Sequence, residues 1–126
     1  MPVTGIDHVV CTVSDLDAAI DFYERLPGVE HVTYGDDRHA LQCGDQKINL
    51  HEAGDPIEPR APEAEPGDSD LCLLTDAPAG DLRAEIEGAG LEVELGPVER
   101  TGARGTLTSV YLRDPDGSLI EVATYE

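Results

Sequence analysis

Histidines, isolated carboxylates and closely spaced arginines are where chemistry could lie in this chain. His8 sits in the β-branched run Ile6-Asp7-His8-Val9-Val10, Asn49 and His51 lie two residues apart in Gln46–Glu52, and Glu121 stands between Ile120 and Val122. Imidazole nitrogens combined with carboxylate and amide oxygens suit a divalent transition metal, and imidazole is a better ligand than a neutral amide. On pattern alone, a lone histidine in an apolar strand reads as a satisfied core residue and a glutamate in an alternating strand as a solvent-facing one. Arg100 and Arg104, two of only seven arginines, flank the glycine-containing stretch Glu99-Arg100-Thr101-Gly102-Ala103-Arg104-Gly105. They read as an anion clamp, or else as ordinary partners of nearby acids. The three cysteines, Cys11, Cys43 and Cys72, are odd in number and widely spaced, each inside an apolar stretch. They read as small core hydrophobes, not as a disulfide or a thiolate metal site.

The elements that must hold these residues come in two matching series. Residues 6–13 form a β-branched run ending at the helix N-cap pair Ser14-Asp15. The apolar positions Leu16, Ala19, Ile20 and Tyr23 then fall on one helical face, and the pattern stops at Pro27-Gly28. Three short strand-like segments follow (29–35, 38–43 and 46–51), split by Gly35-Asp36-Asp37 and Gly44-Asp45 as in antiparallel hairpins. Residues 52–69 carry Pro56, Pro59, Pro62 and Pro66 among acids and small residues and form a linker. The order then repeats, with a strand at 70–75, a helix over about 79–88, and strand segments at 91–98, 106–113 and 118–125. Val13-Ser14-Asp15 recurs as Leu74-Thr75-Asp76, and Ile48-Asn49-Leu50 as Ile120-Glu121-Val122. The expected fold is α+β, a single domain over residues 4–125 built from two tandem βαβββ units with curved mixed sheets, unit one at about 5–52 and unit two at about 70–125.

With these elements in place, the sequence resembles the vicinal oxygen chelate superfamily, which includes glyoxalase I, the fosfomycin- and bleomycin-resistance proteins and the extradiol dioxygenases. The matching residues are Ile6-Asp7-His8-Val9-Val10, Val13-Ser14-Asp15-Leu16, Asp21-Phe22-Tyr23 and the run from Tyr111 through Asp114-Pro115-Asp116-Gly117 to Glu121. Gln46–Glu52 and Gly96–Ala103 further resemble a branch of glyoxalase-domain-5-like and virulence-associated lyase-like proteins. The resemblance implies one divalent metal per site (Ni, Zn, Mn or Fe), held by the first and last strand of each unit. It assigns His8 and Glu121 as ligands, and places Asn49 opposite Glu121 and Asp70 opposite His8 in the repeat. Asn49 and Asp70 depart from the family's carboxylate and histidine. His51 shares Asn49's strand face and can supply the missing ligand. His31 and His39 match no family position and read as surface residues.

The activity implied is that of a glyoxalase-like lyase or isomerase, in which the metal binds an enediolate of a small vicinal-oxygen substrate and Glu121 moves the proton. Because Asn49 replaces one of the two glutamates of glyoxalase I, the lactoylglutathione-lyase reaction itself is not the expected one. An extradiol ring-cleaving dioxygenase is the alternative enzyme, although its members have four βαβββ units. A metal-independent, ligand-sequestering module of the bleomycin-resistance type is the alternative outside enzymology; aromatic content of only 4% with no tryptophan is poor for stacking a large planar ligand. The resemblance also implies a homodimer with sites shared between chains, His8 and His51 of one chain facing Asp70 and Glu121 of the other, although the linker is long enough for pairing within a chain as well.

Charge narrows the partners. The chain of 126 residues carries 27 Asp plus Glu against 8 Lys plus Arg, a formal net charge of −19. The acids are spread along the whole sequence and Lys47 is its one lysine. Such a surface repels phosphate backbones and anionic headgroups, which excludes nucleic acid and membrane surfaces as partners. With no long apolar run and no leader-like N-terminus, a soluble cytoplasmic protein is expected. The composition resembles proteins of salt-accumulating halophilic microbes. Thermal unfolding should therefore shift to higher temperature between about 0.1 M and about 1 M KCl, as the Debye length shrinks from about 10 Å to about 3 Å. An unchanged midpoint would remove the halophilic reading.

Overall fold

The computed structural model describes residues 1–126 except Pro56. That proline, one of the four assigned to the linker, lies outside the described residues. Unit one comprises β1 (His8–Val13), α1 (Leu16–Glu24), β2 (Glu30–Tyr34), β3 (Arg38–Cys43) and β4 (Gln46–Glu52). Unit two comprises β5 (Asp70–Leu74), α2 (Leu82–Gly88), β6 (Leu95–Gly102), β7 (Gly105–Arg113) and β8 (Leu119–Tyr125). Each unit forms a mixed four-stranded sheet, ordered β1-β4-β3-β2 and β5-β8-β7-β6. In both, the first strand runs parallel to the last and every other pair is antiparallel. A helical crossover between the first strand and its sheet permits that parallel pair, because a tight turn cannot return a strand in the same direction.

Local sequence accounts for the element ends. The Asp15 carboxylate accepts from the Ala18 N–H at 3.1 Å, capping α1, and Asp17 adds negative charge in the first turn. Helix α2 starts later than the pattern predicts, at Leu82, because residues 79–81 form a turn. The largest departure is β6. Leu91 and Val93 are buried core residues ahead of the ladder, and pairing with β7 shifts register between Leu95 and Val98. A Cβ on Gly96 (φ +118°) would lie 2.5 Å from the Ser109 carbonyl oxygen, so only glycine fits this bulge. Beyond it the strand continues to Gly102, so the stretch from Glu99 to Gly105, left between the expected strand segments 91–98 and 106–113, is strand through Gly102 followed by a tight turn at Ala103-Arg104.

One hydrophobic cluster joins both units. It unites Cys11, Val13, Leu41 and Tyr23 of unit one with Leu82, Ile86, Leu112 and Ile120 of unit two. Both units of one chain thus pack on a single core, which the linker length alone could not decide. A polar contact anchors this packing. The Tyr23 hydroxyl donates to Asp114 Oδ2 at 2.7 Å, and Asp114 Oδ1 accepts from the backbone N–H groups of Asp116 and Ser118, both at 2.9 Å. Burial, followed by this bond, raises the Tyr23 hydroxyl well above the usual tyrosine range. Asp116 in turn binds the Ser14 backbone N–H at 3.0 Å and the Ser14 hydroxyl. No helix among the described residues is long and apolar enough to cross a membrane.

Replacing Tyr23 with Phe keeps the ring and removes the donor from a buried carboxylate. The variant should lose about 1.5–3 kcal/mol of unfolding free energy in denaturant titrations. A loss under about 0.5 kcal/mol would show that the contact contributes little.

Candidate functional site

In each sheet one face packs on the core and the other is open. Ile48 and Leu50 of β4 and Cys11 and Val13 of β1 face the core, so the intervening positions define the open face. On unit one that face carries His8, Val10 and Thr12 of β1 and Lys47, Asn49 and His51 of β4. On unit two, Ile120 and Val122 face the core, leaving Asp70 and Cys72 of β5, Glu121 of β8, and Ser109 and Tyr111 of β7 on the open face.

The registers make the two faces equivalent. Val10 pairs with Asn49 in the parallel ladder of unit one, and Cys72 pairs with Glu121 in that of unit two. His8 lies two residues before Val10, and Asp70 two before Cys72. The repeat seen in sequence is therefore a repeat in space, His8 answering to Asp70 and Asn49 to Glu121. His51 lies abreast of Thr12, two residues further along than Asn49, or about 7 Å at the rise of an extended strand. There it lines a cleft of about 800 Å³ between the sheet and the linker, together with Val10, Ile57 and Pro66. Burial, then the Arg38 charge, pulls the His51 imidazole below its ordinary range.

On unit one, His8 Nδ1 donates to Asp7 Oδ1 at 2.8 Å, leaving Nε2 as the ring's available lone pair. Asn49 is buried, and its Oδ1 has no hydrogen-bond partner among the described residues. A buried amide oxygen without a donor is costly unless something else meets it. On unit two, Glu121 Oε2 accepts from the Ser109 hydroxyl at 2.6 Å, which holds one carboxylate oxygen. The donors on the two faces, an imidazole nitrogen, an amide oxygen and carboxylate oxygens, fit a divalent metal of intermediate hardness.

A single chain does not bring these donors together. Among the described residues no three His, Cys, Asp or Glu side chains converge to hold a metal ion. His8, Asn49 and His51 lie on one sheet, Asp70 and Glu121 on the other. The predicted arginines border the unit-two face. Arg100 Nε donates to the Tyr111 hydroxyl at 3.1 Å, and the Arg104 backbone N–H donates to the Tyr125 hydroxyl at 3.0 Å. Neither arginine pairs with an acid among the described residues.

Two readings of single residues change. Cys72 is not a core hydrophobe. It is exposed on the open face beside Glu121, and burial of the thiol, followed by the Glu121 charge and a hydrogen bond to that carboxylate, pushes it up to about 11. The signal was present, since strand period 2 puts Cys72 on the face of Asp70. His31 and His39 are not independent surface residues. They are half-buried and hydrogen-bonded ring to ring at 2.9 Å, because β2 and β3 pair His39 with Thr33 and bring the two side chains to neighbouring positions. No local signal marks that pairing.

Two tandem βαβββ units, each with an open face bearing imidazole, amide or carboxylate side chains, define a glyoxalase-like protein. The chain belongs to the glyoxalase/bleomycin resistance protein/dioxygenase superfamily, whose family model matches residues 5–122. It is similar to virulence protein STM3117 of Salmonella typhimurium, 49% identical over 125 residues that span 99% of this chain and 87% of that protein. The crystal structure of that protein superposes with a TM-score of 0.95 at 48% identity over the full length of both chains. Glyoxalase domain-containing protein RDO1 of Mycosarcoma maydis is 44% identical over 126 residues, covering 100% of this chain and 71% of the relative. A more distant solved structure, lactoylglutathione lyase from Agrobacterium tumefaciens, shares 26% identity at a TM-score of 0.71, covering 98% of this chain and 96% of the other. Proteins of this superfamily commonly use a divalent metal, bind small molecules and form dimers.

Asn49 gives a test that needs no substrate. Asn49→Leu removes an unpaired buried acceptor at similar volume, so the metal-free variant should be at least as stable as wild type, by up to about 1–3 kcal/mol in denaturant unfolding. A clear destabilisation would mean that Asn49 is already satisfied within the fold.

Proposed function

We propose that the protein is a divalent-metal-dependent, glyoxalase-like lyase or isomerase acting on a small substrate with adjacent oxygens. The observation that carries this reading is Asn49 Oδ1, which is buried, without a hydrogen-bond partner among the described residues, and at the repeat position of Glu121. His8, Asn49 and Glu121 would hold the metal, with Asp70 at the place answering to His8. His51, displaced along β4, is better placed as a substrate contact in the cleft under the linker.

The metal, when bound, acts as a Lewis acid that polarises the substrate's vicinal oxygens. Glu121 is the group that accepts a proton from the carbon beside a carbonyl and returns it to the neighbouring carbon. The Ser109 hydroxyl orients that carboxylate through Oε2, so Ser109 is a positioning residue. The Cys72 thiol, protonated around neutral pH, is a neighbour of Glu121 and not a nucleophile in this scheme.

Because His8 and Glu121 lie on separate faces of one chain, we place each complete site between chains of a homodimer, unit one of one protomer against unit two of its partner. Closed two-fold symmetry then makes two identical sites per dimer. The test is metal content after dialysis against Ni²⁺, Zn²⁺ or Mn²⁺, for wild type, His8→Ala, Glu121→Ala and a co-refolded mixture of the two variants. Each single variant should bind at least about tenfold more weakly than wild type. The mixture should regain about a quarter of the wild-type sites, because half of the dimers are mixed and each has one intact site. Variants that retain full metal would overturn the ligand assignment, and a mixture no better than its parents would place the site within one chain.

A further inference from the structure

Eight cations face 27 acids in this chain, so a basic side chain without a carboxylate beside it is unexpected. Arg25, Arg60, Arg83 and Arg113 each pair with a carboxylate at 3.3 Å or less. The other four, Arg38, Lys47, Arg100 and Arg104, make no such pair among the described residues. All four lie on or beside the two open faces. Lys47 shares the open face of Asn49, and Arg38, one position before the His39↔Leu50 pair, falls level with His51 on that face. Arg100, level with Leu107 and Tyr125, and Arg104, in the adjoining turn, border the open face of Glu121.

Three of the four are held by aromatic rings instead of acids. Lys47 Nζ lies 3.6 Å from the Tyr34 ring centroid, and the guanidinium carbons of Arg100 and Arg104 lie 5.5 Å and 4.4 Å from the rings of Tyr111 and Tyr125. The chain has four tyrosines, and the fourth, Tyr23, is in the core. A ring face steadies a cation by about 0.5–1 kcal/mol without neutralising it, whereas a carboxylate would cancel its charge. Since the Tyr111 and Tyr125 hydroxyls already accept hydrogen bonds from Arg100 and Arg104, the proton of each is available to donate to a further acceptor.

We propose that the substrate is a small organic anion bearing carboxylate or phospho groups, gripped by Arg100 and Arg104 on one open face and by Lys47 and Arg38 on the other. This rests on the reading above for the location of the ligand between the two faces. The overall charge of −19 does not forbid it. At about 1 M salt the Debye length is about 3 Å, so the acidic coat is screened at the site, while a charge-assisted hydrogen bond at about 2.8 Å is a direct contact that salt weakens far less.

The test is isothermal titration of the full-length, chelator-stripped protein at constant ionic strength with malonate, phosphonoacetate and the neutral analogue malonamide. At least one of the two anions should bind, and malonamide should bind at least about tenfold more weakly. Arg100→Gln and Lys47→Gln should each weaken anion binding about tenfold, or about 1.4 kcal/mol, with unchanged circular dichroism. Equal binding of malonate and malonamide, no binding of either anion, or wild-type affinity in the Arg100→Gln/Lys47→Gln double variant would overturn the proposal. As the metal is absent from this titration, anion binding without metal binding would sink only the metal-site reading. Metal binding without anion binding would sink only this one.

Discussion

Much of the structure depends on one buried carboxylate. Asp114 is 7% exposed and accepts from the Tyr23 hydroxyl and from the backbone N–H groups of Asp116 and Ser118. A charge at that depth persists only when its lone pairs are met, and here the donors come from both units. The two backbone donors shape the turn between β7 and β8, and the tyrosine ties that turn to α1. Glu121 lies three residues beyond Ser118 on the strand this turn launches. The element that fixes where Glu121 sits is thus also the one that joins the two halves of the chain on a single core.

That joint core has a consequence for the site. With the core faces of both sheets committed to one another and to the helices, the candidate donor side chains are left on two open faces of one chain. Unit one offers an imidazole and an orphaned amide oxygen, while unit two offers a carboxylate held by a serine and an aspartate at the start of β5. In the homodimer proposed above, two-fold symmetry would supply each missing half without any new kind of contact.

The acidic composition turns out to be unevenly distributed in effect. Along the outer surface the arginines are neutralised locally by carboxylates, as in the i,i+4 pairs Arg25–Asp21 and Arg83–Glu87. Around the open faces three of the remaining four cations rest on Tyr34, Tyr111 and Tyr125. A net charge of −19 therefore coexists with four cations on or beside the open faces that no carboxylate pairs among the described residues.

Much of this was legible in the residues themselves. The period of Leu16, Ala19, Ile20 and Tyr23, the Asp15 cap and the glycine-bounded hairpins set every element of unit one, because helix and strand periodicities and turn chemistry are local properties. The recurrence of Asn49 at the place of Glu121 was equally visible, since a repeated unit repeats its register. What the sequence could not carry was anything depending on contacts between distant segments. Gly96 is required at the bulge because the Ser109 carbonyl lies against it, Arg100 lies on a strand because β6 pairs with β7 as far as Gly102, and the ring pair of His31 and His39 exists only through the β2–β3 register. Cys72, by contrast, was legible, since strand period 2 puts it on the face of Asp70. Sequence by itself determined the two βαβββ units and the donors they carry. Tertiary structure alone decided that one chain holds those donors apart, because burying the apolar faces of both sheets in a common core turns the polar faces away from it.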